Sequence, residues 1–176
     1  IPDLDFLLKR SVDLNLFGTK MRSVIGAANS TGISKNVKQQ FKIGNQIFKH
    51  GLIPILEPEI TIGIPDKAEA EIILKNEIIK QLDTLPTNQT IILKLTLPEV
   101  ENHYLELTEH KNVLSVVALS GGYKRSDAIR RLSKNKSMIA SFSRALTEGL
   151  SVQQSDLEFH NMLEQTINSI YQASIS

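Results

Sequence analysis

Apolar residues recur along this chain in two rhythms: short runs that alternate or stay apolar throughout, and longer stretches repeating at roughly helical spacing. The first run predicts a strand over 14–24, with Lys20 and Arg22 two apart on one face. After a polar loop, Ser34 is placed to cap a helix over 35–50 with Val37, Phe41, Gly44 and Phe48 inward and Gly51 as its stop. A strand over 52–57 ends in Glu57-Pro58-Glu59, and Asp66 with Glu69 predicts a capped helix to about 85 that buries Ala68, Ile72, Ile79 and Leu82. Then come a strand over 90–97, a helix over 99–110, and a strand over 113–119 that runs into Ser120-Gly121-Gly122. A helix over 124–133, a strand over 138–142 leading to Ser143-Arg144, and a helix capped by Ser155 with Glu158 complete the pattern. The last helix is expected to bury Leu157, Met162, Leu163, Ile167 and Ile170.

Strand and helix alternate at about 20 to 30 residues per unit, which argues for a parallel sheet covered by helices. Polar residues gather within strands or at their C-terminal ends, where active sites of such sheets assemble. Five predicted strands fall short of the eight in a closed (β/α)8 barrel of about 250 residues. The fold class expected is therefore α/β, a TIM barrel of which residues 1–176 supply strands four to eight and their helices. The opening Ile1-Pro2, in place of Met, fits a chain that begins partway through a longer protein.

The stretch 90–97 carries the main anomaly. Ile91, Leu93, Leu95 and Leu97 share one wholly apolar face, while Lys94 sits in the middle of the other between Ile92 and Thr96. A lysine in a strand covered on both sides is costly unless paired or used, because desolvation disfavours the ammonium.

Composition narrows the chemistry. At 176 residues and 41% hydrophobic the chain can bury a core of its own. A net charge of +1 with mixed signs gives no case for nucleic acid or a membrane surface, and no apolar run approaches a membrane span. Without cysteine there are no disulfides, thiolate metal sites or thiol nucleophiles. The four histidines, His50, His103, His110 and His160, fall on helices or their ends without metal-ligand spacing, so no metal or other cofactor is expected. No signal peptide is visible, a cytoplasmic location is expected, and homo-oligomer formation stays open.

A buried amine near other cations becomes a nucleophile, and Lys20 and Arg22 are the candidate neighbours of Lys94. Attack on a ketone gives a carbinolamine that must lose water to form an iminium, and a carboxylate such as Glu57 suits the proton transfers. Ser120, Gly121 and Gly122 offer backbone N–H groups to a phosphate, with Arg144 as a guanidinium fork. The set suggests a phosphorylated ketone with its carbonyl at Lys94.

Five segments also carry a resemblance. Phe17-Gly18-Thr19-Lys20-Met21-Arg22-Ser23, Gly51-Leu52-Ile53-Pro54-Ile55-Leu56-Glu57-Pro58-Glu59, Leu93-Lys94-Leu95-Thr96, Leu119-Ser120-Gly121-Gly122-Tyr123 and Ser141-Phe142-Ser143-Arg144-Ala145-Leu146 resemble, in order, the class I fructose-bisphosphate aldolases, especially the bacterial branch. The resemblance implies a (β/α)8 barrel and metal-free, reversible cleavage of fructose 1,6-bisphosphate to dihydroxyacetone phosphate and glyceraldehyde 3-phosphate. It implies Lys94 as Schiff-base lysine, Glu57 as main acid/base and Lys20 as a second active-site lysine. Arg22 would hold the far phosphate, and Ser120, Gly121, Gly122 and Arg144, with Ser141 nearby, the phosphate of the dihydroxyacetone half. The family's first-strand aspartate and third-strand lysine have no counterpart here, and the animal terminal tyrosine is not carried onto Tyr171. Competing expectations are another Schiff-base lyase or transaldolase, and a non-catalytic fragment that binds sugar phosphates.

Overall fold

A computed structural model describes residues 2–176. Its core is a five-stranded parallel sheet in which spatial order equals chain order. The strands are β1 (Gly18–Ile25), β2 (Ile53–Ile60), β3 (Ile91–Thr96), β4 (Val113–Leu119) and β5 (Met138–Ala140). Between and around them lie α1 (Leu4–Asp13), α2 (Ser30–Lys49), α3 (Lys67–Leu82), α4 (Leu105–Thr108), α5 (Arg125–Leu132), α6 (Arg144–Thr147) and α7 (Asp156–Ser174). Parallel neighbours joined by right-handed crossovers put successive helices on the same face of the sheet. That winding is the one a (β/α)8 barrel uses.

Burial follows the strand period. Ile91, Leu93 and Leu95 of β3 are sealed against the helices with Phe41, Leu56, Leu74, Ile78 and Val116. The opposite face, which a closed barrel would turn inward, leaves Val24 and Ile139 exposed. Gly44 lets α2 approach the sheet, since a Cβ there would stand 3.2 Å from the Leu56 side chain. A second, small cluster of Leu8, Ile47 and Leu52 pins α1 under the start of β2.

Several local expectations shift. The N-cap of α2 is Asn29, whose side chain accepts from Gly32 N, whereas Ser34 donates to Glu77. Asp66 does sit at the N-cap of α3 but caps nothing; its carboxylate accepts from Ala28 N, across to the preceding unit. The inward face of α3 is Lys67, Ala70, Glu71, Leu74, Ile78 and Leu82, with Ala68 and Ile72 outside. The helix is turned by Lys67 and Glu71, which pair with each other in the interior. The helix expected over 99–110 shrinks to α4, because Glu99 is held by other side chains and Asn102 sits at φ 58. The strand expected from 14 begins at Gly18, after a helix that the pattern did not reveal. Ser155 and Glu158 form the expected capping box on α7, but that helix buries Thr166, Ile170 and Ala173 and leaves Leu157 and Ile167 exposed.

Candidate active site

At the C-terminal ends of the strands the parallel register brings polar side chains to one rim. Lys20 and Arg22 share a face of β1, and Arg22 is level with Glu57 on β2. On the other side of β2, Ile55 and Leu56 pair with Ile92 and Leu93, a register that leads Glu57 up to Lys94. The Thr96 hydroxyl then ties the two strand ends together, donating to Ile60 O at 2.9 Å and accepting from Ile60 N at 3.0 Å.

Glu57 stands between two amines. Its Oε1 lies 3.5 Å from Lys94 Nζ and its Oε2 lies 2.6 Å from Lys20 Nζ. The carboxylate is nearly enclosed (5% exposed), and Oε2 accepts no well-directed hydrogen bond, so both contacts act as ion pairs. Lys94 is 17% exposed, which leaves its amine reachable from the cleft while its stem is packed. Behind the carboxylate, the Gln40 side chain accepts from Glu57 N at 3.2 Å and donates to Ser23, fixing this position from α2. One step toward the rim, Arg22 Nε donates to Glu59, which pushes the guanidinium pKa above its ordinary value.

Across the cleft, β4 ends in the buried Ser120 and turns sharply through Gly121 at φ 59 and Gly122 at φ 107. A Cβ on Gly121 would fall 2.8 Å from the Ile62 methyl, so conformation and space both require glycine. The turn closes with Tyr123 N donating to Ser120 O. Ser141 follows β5 and donates its N–H to Ala118 O, which keeps the start of the last loop beside the end of β4.

Arg22, Glu57, Glu59, Lys94, Leu119, Ser120, Gly121, Ser141, Ser143 and Arg144 line a single open cleft of about 390 Å³. The structure thus gathers Lys94, Glu57, Arg22, Ser120, Gly121, Ser141 and Arg144 around one space. Lys20 reaches it through Glu57 rather than along its wall, and Gly122 faces solvent beside it. Glu59 and Ser143 were given no role by sequence reasoning, although each sits beside a residue that was. The histidines lie elsewhere: His50 on Asp5, His110 near Asp83, His160 on Asp156 O and His103 against Tyr104. The cleft pairs an amine with a carboxylate at one end and a glycine turn with a guanidinium at the other. It can take an anionic group in the turn and expose a carbonyl to the amine.

Among curated relatives, the chain is 54% identical over 176 residues to the class 1 fructose-bisphosphate aldolase of Synechocystis sp.. It is 55% identical over 174 residues to that of Porphyromonas gingivalis and 49% over 176 to that of Clostridium acetobutylicum. The matches take in 99–100% of this chain but only 59–60% of each relative, so the chain spans about three-fifths of their length. No protein-family model matches it. Among solved structures, the fructose-bisphosphate aldolase of Plasmodium falciparum, crystallised with TRAP and a small-molecule inhibitor, superposes with a TM-score of 0.75 at 19% identity. That superposition covers 97% of this chain and 61% of the other, and carries the fold.

Proposed function

We infer that this chain is the part of a class I fructose-bisphosphate aldolase barrel that carries the Schiff-base lysine, and that Lys94 is that lysine. The observation that bears the inference is the placement of Glu57 between Lys94 and Lys20, facing a glycine turn across the cleft. The names of the relatives supply the substrate class.

In this reading the phosphate of the ketone half rests on the backbone N–H groups of 120–122 with Arg144, and Arg22 takes the distal phosphate. Lys94 passes the proton of its ion pair to the Glu57 carboxylate, the neutral amine then attacks the ketone carbon, and an N–H proton passes to the alkoxide oxygen. Glu57 then supplies a proton as the carbinolamine hydroxyl leaves as water, giving an iminium. A base removes the proton from the adjacent C4 hydroxyl, the C3–C4 bond breaks, and its electron pair flows into the iminium to form an enamine. Glyceraldehyde 3-phosphate departs, the enamine is protonated at C3, and water releases dihydroxyacetone phosphate. Lys20, already against Glu57, stabilises negative charge on that carboxylate between its turns as acid and base. The remaining barrel units would complete the wall opposite β1 and β5. A glycolytic role on phosphorylated sugars in the cytoplasm follows from the same reading.

The test is trapping with borohydride in the presence of dihydroxyacetone phosphate, followed by peptide mapping. The expected result is a reduced adduct on the peptide bearing Lys94, absent from Lys94→Met. A wild-type protein that gives no adduct, or one that maps to Lys20, overturns the assignment. Cleavage of fructose 1,6-bisphosphate in preference to a panel of keto acids separates this reading from another Schiff-base lyase.

A further inference from the structure

Behind the glycine turn lies a balanced set of charges that the reaction above does not use. Lys67 and Glu71, on the first turns of α3, are 4% and 1% exposed and bonded to each other. Lys67 also donates to Leu97 O at 2.9 Å and sits 3.1 Å from Glu99 Oε1. Glu71 Oε2 accepts from Glu99 N at 3.0 Å. Arg131 of α5 donates to Pro98 O at 3.1 Å and to Glu99 Oε2 at 3.2 Å. Two cations, Lys67 and Arg131, and one carboxylate, Glu71, therefore grip Leu97, Pro98 and Glu99, the residues that follow β3.

One member reaches from this grip to the site. Tyr123, the residue after Gly122, donates its hydroxyl to Glu99 Oε1 at 2.9 Å, and its ring lies under the Arg131 guanidinium at 4.3 Å. The turn is thus held at its start by Ser120 at the end of β4 and at its finish by Tyr123. Its two residues in between are glycines at positive φ, with no side chains to hold them.

We propose that Glu99, acting through Tyr123, is a positioning residue that fixes the 120–122 turn and so sets the affinity of the cleft for the phosphate of its ketone. The proposal rests on reading the cleft as a Schiff-base site, because Lys94 trapping is its readout. Neither residue lines the cleft, so neither touches the substrate. Loosening the anchor should weaken what the turn binds and leave the amine chemistry alone.

The experiment compares two ketones, dihydroxyacetone phosphate and dihydroxyacetone, in borohydride trapping on the purified protein. Tyr123→Phe removes the hydroxyl and keeps the ring beneath Arg131. It is expected to raise the half-saturating concentration of the phosphorylated ketone about tenfold, the size of one charge-assisted hydrogen bond. Half-saturation by plain dihydroxyacetone, and the adduct yield at saturation, should not move. Glu99→Gln should show the same split, and it replaces Tyr123→Phe if that variant does not fold. An equal change for both ketones, or none for either, overturns the proposal while the Schiff-base reading stands. A wild-type protein trapped by neither ketone sinks the Schiff-base reading instead.

Discussion

Replacing Lys67 with methionine should destabilise the protein far more than its single charge suggests. Removing one partner of a buried ion pair costs about 3–5 kcal/mol, because the other charge stays buried without its counter-ion. Here the orphan is Glu71, at 1% exposure, whose remaining contact is the Glu99 N–H. Leu97 O also loses its Lys67 donor, which adds about 1 kcal/mol. Arg131 and the partial exposure of Glu99 return some of this, since that carboxylate keeps a cation 3.2 Å away. The expected loss is about 4 kcal/mol, a large share of the 5–15 kcal/mol typical of a domain. Urea unfolding with linear extrapolation measures it, provided the slope is unchanged. Adding Glu71→Gln to Lys67→Met removes the stranded charge yet keeps an acceptor for Glu99 N, and should recover about 2 kcal/mol. A loss below about 1 kcal/mol for the single variant, or no recovery in the double, would refute a charged, paired interior at this point.

Gly121→Ala should lower stability by about 1–2 kcal/mol, because an L-residue pays for the left-handed conformation and the Ile62 methyl must yield. The same variant should weaken trapping by dihydroxyacetone phosphate; unchanged urea midpoint and unchanged half-saturation together would contradict the geometry of the turn. Burial of Glu99 opposes its ionisation, but the Tyr123 hydroxyl, Lys67 and Arg131 outweigh burial and hold the carboxyl below its ordinary value. A depressed folded-state pKa gives stability that is complete above the unfolded value of about 4.3 and lost as pH falls through the folded value. Urea midpoints should therefore fall from about pH 6 to pH 3, and less steeply in Glu99→Gln; identical slopes would remove Glu99 from the acid-sensitive groups.

What could be read from the sequence was what a strand displays by itself. The alternation over 90–97 separates Leu93 and Leu95, both fully buried, from Lys94 on the other face, and no distant contact is needed to see it. The Glu57-Pro58-Glu59 and Ser120-Gly121-Gly122 segments were legible for the same reason, since each ends a strand and parallel strands end on one rim. Helix rotation was less legible. An apolar stripe tells which residues can be buried, whereas the rotation of α7 is also set by Arg125 donating to Thr166 and by Ala140 N donating to Ser174. Those polar anchors leave Leu157 and Ile167 outside, which hydrophobicity alone would have put in.

The grip behind the turn escaped for a deeper reason. Lys67 and Glu71 are four apart, a spacing that on most helices marks a solvated pair, and nothing local says that this pair faces inward. Its meaning appears only when Glu99, Tyr123 and Arg131 arrive from the units on either side of the following strand. Leu97, whose carbonyl Lys67 holds, stands three residues beyond Lys94, and Tyr123 stands directly after the glycine turn. The same charges thus brace both the strand that presents the amine and the turn that would receive the phosphate. A cleft open to solvent can hold those two at a fixed separation only if the bracing lies behind it, where low dielectric makes the Lys67–Glu71 pair stiff. Paired charges at that place, where an apolar core would serve packing equally well, are what such positioning requires.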